Sequence, residues 1–109
     1  MANIYKNAKA DLTANTATTV YTVPSDSRSI VKSIIVSEDS GNADSITLTI
    51  TDASSNVFSL FKTKGVSANA TVELLSQPLV LQESEILKAT AATANRLHIV
   101  VSVLEINRS

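Results

Sequence analysis

Ile46-Thr47-Leu48-Thr49-Ile50-Thr51 alternates aliphatic and hydroxyl side chains without a fault. Successive side chains of an extended chain point to opposite sides. The hexapeptide therefore has one face for a core and one for water, the pattern of a half-buried β-strand. Apolar alternation and β-branched runs recur about every ten residues on either side of it, with turn residues between them. The second candidate strand is Ser29 to Ser37, with Ile30, Lys32, Ile34 and Val36 on one face and Val31, Ser33, Ile35 and Ser37 on the other. Glu38 to Asp44 is a polar loop in which Gly41 and Asn42 can take positive φ.

Upstream, Thr18 to Val23 reads as a strand closed by Pro24, which has no N–H to give a ladder. Downstream, Asp52 to Asn56 turns the chain into Val57 to Lys62. That pairing is a hairpin with Ile46, Leu48 and Ile50 set against Phe58 and Leu60 as core partners. Lys64 to Asn69 reads as a connection. Thr71 to Leu75, Leu79 to Gln82, Glu85 to Ala92 and Arg96 to Ile106 are further strands. No stretch carries a sustained 3.6-residue apolar period with caps. The expected fold is an all-β antiparallel sandwich, jelly-roll or Ig-like, of about seven to nine short strands with little or no helix. Residues 15–109 form its single domain, and residues 1–14 are either an N-terminal arm or a short first strand.

A chain of 109 residues buries roughly 65% of its unfolded surface on folding, enough for a core without metal or disulfide. Aromatic residues make up only 4%, so Val, Ile, Leu and Ala must fill that core. Small side chains suit two sheets about 10 Å apart. The formal net charge of −1 lacks the basic excess of a nucleic-acid binder. The absence of Cys excludes a disulfide scaffold and Cys-based zinc sites. Met1 to Lys6 has no apolar core of a signal peptide, and no apolar run approaches ~18 residues. The reading is of a protein made and folded in a cytoplasm, with no membrane partner. Asn69-Ala70-Thr71 and Asn107-Arg108-Ser109 match the glycosylation triplet and read as chance matches in that setting.

The chemical equipment is sparse. His98 is the only imidazole. It lies inside a strand between Leu97 and Ile99, and no Gly-x-Ser-x-Gly elbow or Gly-rich oxyanion loop accompanies it. Glu83 and Glu85 share a side in an extended segment and mimic an acid–base pair, yet they sit in a turn where solvated charge is ordinary. Glu38, Asp39 and Asp44 do not follow the spacing of a calcium loop. No cofactor, metal or catalytic residue is expected, and the chain does not read as an enzyme. Tyr5 and the exposed loops are the only contacts that a small carbohydrate- or cell-surface-binding module would have.

The surplus of apolar residues is more telling. A sandwich strand needs one apolar face. The last strand has Leu97, Ile99, Val101 and Val103 on one face, and Val100, Leu104 and Ile106 on the other. Val31 and Ile35 show the same excess. Either a loop or the N-terminal arm covers these residues, or Val31, Ile35, Val100, Leu104 and Ile106 line an interface. The second case implies a homo-oligomer or an assembly component.

Ala68-Asn69-Ala70-Thr71-Val72-Glu73-Leu74-Leu75 and Gln77-Pro78-Leu79-Val80-Leu81-Gln82-Glu83-Ser84-Glu85-Ile86-Leu87-Lys88-Ala89 resemble small β-rich virion proteins of tailed bacteriophages. Thr19 to Pro24 and Ile30 to Ser37 are similar to the opening half of the same family. Ser84-Glu85 stands where that family often has Gly-Asp. The resemblance implies a virion structural protein: a capsid decoration (cement) protein first, a neck or tail adaptor or a tail-fibre component second. It also implies the major capsid protein or other virion proteins as partners, and a homo-oligomer, with a trimer among the options.

Overall fold

The computed structural model describes residues 2–107 and contains nine strands among them: β1 (Ala2–Leu12), β2 (Thr18–Thr22), β3 (Ser27–Glu38), β4 (Asp44–Thr51), β5 (Val57–Val66), β6 (Thr71–Glu73), β7 (Leu79–Leu81), β8 (Ile86–Ala91) and β9 (Leu97–Asn107). They form two sheets. The front sheet runs β1-β9-β3-β6, with β7 also on β3, and the back sheet runs β2-β8-β4-β5. Every pairing is antiparallel. The pairs nest: β4 with β5, β3 with β6 and β7, β2 with β8, β1 with β9. One long hairpin, folded over on itself, gives this order, which is that of a jelly roll. The Ig-like alternative is set aside by the strand order.

The alternation that opens the sequence reading is the geometry observed. Ile46 and Leu48 are fully buried while Thr47, Thr49 and Thr51 lie on the outer side of the back sheet. Leu87, Ala89 and Ala91 of β8 stand beside them on the inner side. From the front sheet come Leu12, Val31, Ile34, Val36, Leu97, Ile99, Val101 and Val103. Aliphatic side chains dominate this core, as the low aromatic content demands.

Turns are held by carboxylates. Glu38 ends β3 almost fully buried and accepts backbone N–H groups from Ser40 (2.9 Å), Gly41 (3.0 Å), Asn42 (3.2 Å) and Asn69 (3.0 Å), together with the Ser40 hydroxyl. Burial pushes this carboxyl up, but the Ser40 hydroxyl and the backbone donors outweigh it and hold it at about 2. Glu38 thus ties the β3–β4 loop to the turn before β6. Asp52 does the same for the β4–β5 turn, accepting from Ser54 and Asn56 at 2.9 Å each. The Asn56 N–H is the main reason its carboxyl is lowered.

Four features depart from the sequence reading. The segment open between an arm and a short strand is an eleven-residue strand on β9, from Ala2 opposite Asn107 to Leu12 opposite Leu97. β5 continues through Lys64 and Gly65, which read as a connection, because the register shifts twice along β4 and keeps the strand paired to Asp44. Phe58 is 57% exposed rather than a core partner. It lies opposite Ile50 near the turn of the hairpin, on the edge strand of the back sheet. Leu60 and Phe61 do pack on the core from the same strand. Lastly, β3 contains a bulge between Val31 and Ser33 against β9. The extra residue reverses the parity of the strand. Ser29 and Val31 face inward before it, and Ile34 and Val36 after it.

Candidate functional site

The bulge decides which residues reach the outer side of the front sheet. Val31, expected at an interface, is fully buried, because the parity change puts it on the core side with Ile34 and Val36. Ile35, Val100, Leu104 and Ile106 do share the outer side. Residues directly opposite in an antiparallel pair share a face. The registers therefore set Val80, Ile30, Leu104 and Tyr5 in one continuous row across β7, β3, β9 and β1. Tyr5 is 75% exposed and Val80 60%. Ile106 lies next to this row, between Arg28 and Asn3, and Ile35 and Val100 form a second short apolar pair further along.

Between the row and that pair lies a depression of about 410 Å³, lined by Tyr5, Lys6, Asn7, Lys32, Ser102 and Val103. The bulge places Lys32 there. Val31 pairs with Val103 and Ser33 with Ser102, so Lys32 has no residue opposite it on β9. The neighbouring Glu73 is occupied. It accepts from the Ser33 hydroxyl, the Ile34 N–H (2.8 Å) and the Leu75 N–H (3.2 Å). Burial pushes its carboxyl up, and these three bonds more than compensate and lower it.

At the far end of the face His98 stands between two carboxylates. Its Nε2 is 3.1 Å from Asp11 and its Nδ1 3.4 Å from Asp39. Both ring nitrogens are thus directed at carboxylates. Glu38, Asp39 and Asp44 are also apart in role: Glu38 caps the turns, Asp39 faces His98, and Asp44 accepts the Thr93 N–H at 3.1 Å. Among the described residues no group of three His, Cys, Asp or Glu is placed to hold a metal ion. Glu85 accepts the Gln82 N–H at 2.7 Å within its own turn. Glu83 instead lines a separate cavity of about 340 Å³ with Asp26, Ser27, Arg28 and Ile106. The two glutamates thus have different surroundings.

Behind the face, inside the sandwich, a polar chain joins the two sheets. Tyr21 of β2 donates to Glu105 at 2.6 Å and exchanges a hydrogen bond with Ser29. Lys6 of β1 reaches the same Glu105 oxygen at 3.1 Å. Burial, and then the adjacent Glu105, push the Tyr21 phenol well above its ordinary value. The sequence reading missed this network and the places of Ile30 and Val80 in the row. Ile30 was set on the opposite face from Ile35, an error that only the bulge corrects. Val80 was readable in part, since Leu79-Val80-Leu81 forces one apolar residue outward.

No protein-family model and no curated protein matches the chain. Among solved structures it is similar to a chain of the Bacillus endospore appendages, described as a novel family of disulfide-linked pili. The two share 12% identity with a TM-score of 0.54, over 99% of this chain and 87% of that one. The two chains share a fold. A chain from infectious bursal disease virus, Gt strain, overlaps at 9% identity and a TM-score of 0.43, over 98% of this chain and 31% of that one.

Proposed function

We propose that this protein is a non-enzymatic structural subunit of a bacteriophage virion, a decoration protein that binds the assembled head through the outer face of its front sheet. The observation that carries the reading is the outward apolar row Val80–Ile30–Leu104–Tyr5, continuous across four strands, with Val80 and Tyr5 exposed at its ends and Ile30 and Leu104 half-buried between them. An uncovered apolar stripe of this kind marks an interaction surface. The resemblance of residues 10–106 to phage virion proteins supports the choice of assembly. The pilus-derived chain with the same fold supports the coarser idea of a building block. This chain has no cysteine, so it would hold its neighbours without disulfides. The mechanism is mass action: a subunit that binds only the assembled shell stabilises the shell.

The test is the copy number in purified particles by quantitative mass spectrometry, together with binding of the purified protein to heads that lack it. Hundreds of copies per particle and saturable head binding are expected. A small symmetric number such as ~6 or ~12 would move the protein to the neck or tail, and absence from the particle would end the virion reading.

A further inference from the structure

The lining of one depression on the front face carries charge of a single sign, and that specifies the partner. The chain as a whole carries 9 basic and 10 acidic residues, so no region is obliged to be basic. Within the depression beside the apolar row, however, the lining residues are Tyr5, Lys6, Asn7, Lys32, Ser102 and Val103, with no acidic side chain. Lys6 is committed to Glu105 behind the sheet. On β6 the outward carboxylate of Glu73 accepts from three donors, and Asp11 and Asp39 are turned to His98. None of the ion pairs between described residues involves Lys32.

The bulge strengthens the point. It interrupts the longest strand of the fold at one residue, and that residue is Lys32. Bulges re-aim side chains and recur beside functional sites. Here the effect is to set a cation next to an aromatic ring, an amide and a hydroxyl, at the margin of an apolar row. That is the layout of an interface with an apolar centre and a polar rim.

Resting on the decoration reading above, we infer that the surface received by this face is a protein surface carrying an aspartate or glutamate that enters the Tyr5–Asn7–Ser102–Lys32 depression, with apolar side chains beside it to cover Leu104 and Ile30. Asn7 and Ser102 supply further donors to the entering carboxylate. An isologous contact with a second copy fits less well. It would lay the same cationic depression against or near its own image, where like charges repel as water leaves.

The experiment measures binding of wild-type protein and variants to DNA-free heads lacking this subunit, by surface plasmon resonance at several salt concentrations. Lys32→Met is expected to weaken binding about tenfold and Lys32→Glu about a hundredfold, mostly through the variants' loss of a charge-assisted contact. Lys32→Arg should bind as wild type does. The association rate of wild type should fall with salt more steeply than that of Lys32→Met. Lys88→Glu, on the outer side of the back sheet, should bind normally, which separates local from net charge. Thermal melts of all four variants report whether each is folded. If wild type binds heads and the Lys32 variants bind equally well, the inference fails while the decoration reading stands. If wild type does not bind heads at all, both fall. Competition by polygalacturonate at micromolar uronate would make the occupant an acidic glycan, and self-association abolished by Lys32→Glu would make it a second copy. Either result overturns the inference.

Discussion

The two outer faces of this sandwich are built on the same strand geometry and differ in chemistry. The back sheet presents Thr47, Thr49 and Thr51 of β4, Thr90 of β8 and Thr19 of β2. Hydroxyl groups on β-branched stems keep β-propensity and stay solvated. The front sheet presents Ile30, Ile35, Val80, Val100, Leu104 and Tyr5 in equivalent positions. Folding asks for only one apolar face per sheet; the outer side of the back sheet adds Ile86 and, at the tip of the β4–β5 hairpin, the exposed Val57, with Phe58 exposed beside it, while its middle is threonine. The front sheet carries more than folding needs, and four of the residues in excess, Val80, Ile30, Leu104 and Tyr5, form one row across its strands. In a chain with so few chemical groups, the two faces differ chiefly in where the apolar surplus lies: across the middle of the front sheet, but at the hairpin tip of the back one.

The contrast is broken most directly by exchanging a residue on each face. Leu104→Lys is expected to reduce head binding about a hundredfold while the protein stays folded, because Leu104 faces outward. Thr49→Lys, at a comparable depth on the back sheet, should leave binding unchanged. Equal losses from both would mean that the two faces do not differ in role. Denaturant melts then separate inner from outer positions on a single strand. Val31→Ala should cost about 2 kcal/mol, as the loss of two buried methyl groups does, whereas Ile35→Ala should cost under about 1 kcal/mol. The reverse order would place the bulge wrongly.

The polar chain behind the face offers a third comparison. Tyr21→Phe leaves Glu105 and Ser29 short of a partner and is expected to cost about 1–2 kcal/mol by urea unfolding. The Tyr21 phenol is raised in the folded protein, so the fold binds its proton more tightly than the unfolded chain does. Its contribution is complete below pH 10, the ordinary phenol value, and declines as pH rises above that. Tyr21→Phe should therefore flatten the alkaline limb of the stability profile. Glu38 works at the opposite limb. Its carboxyl is held at about 2 against an ordinary 4.5, so its contribution is complete above pH 4.5 and is lost as pH falls towards 2. A shallower acid limb in Glu38→Gln is the expected result; an unchanged limb would assign acid unfolding to other carboxylates.

The smallest effect concerns Ser84, which sits at φ 65° in the turn before β8. A side chain there is strained where glycine is not. Ser84→Gly should raise stability by about 0.5 kcal/mol, visible as a small rise in Tm. This is also the position at which the resembled virion family often carries glycine.

Much of the architecture was legible in the sequence because it rests on period-two alternation, and β2, β4, β8 and β9 fall within a residue or so of their expected bounds. Four of the five expected interface residues lie on one face for the same reason. What was not legible depends on contacts distant in sequence. Nothing in Ile30-Val31-Lys32-Ser33 marks a bulge, since no glycine or proline interrupts the run; the register with β9 creates it. The extent of β5 and the exposure of Phe58 likewise depend on where partner strands end. The Tyr21–Glu105 bond joins residues 84 positions apart, and local pattern holds no trace of it.

The nested order of strand pairs has a consequence for the time course of folding. The β4–β5 turn closes a loop of only a few residues, whereas β1 meets β9 only after nearly the whole chain is gathered. Loop entropy rises with the length closed, and each inner pair, once formed, shortens the loop left for the next. Assembly from the tip outward is thus the cheapest route, with β1 docking last and opening first. In a native-state hydrogen-exchange experiment the amides shared by β1 and β9 would then exchange through a smaller opening than those of β4 and β8. The strand that carries Tyr5, and with it one end of the apolar row, is the one whose docking completes the surface.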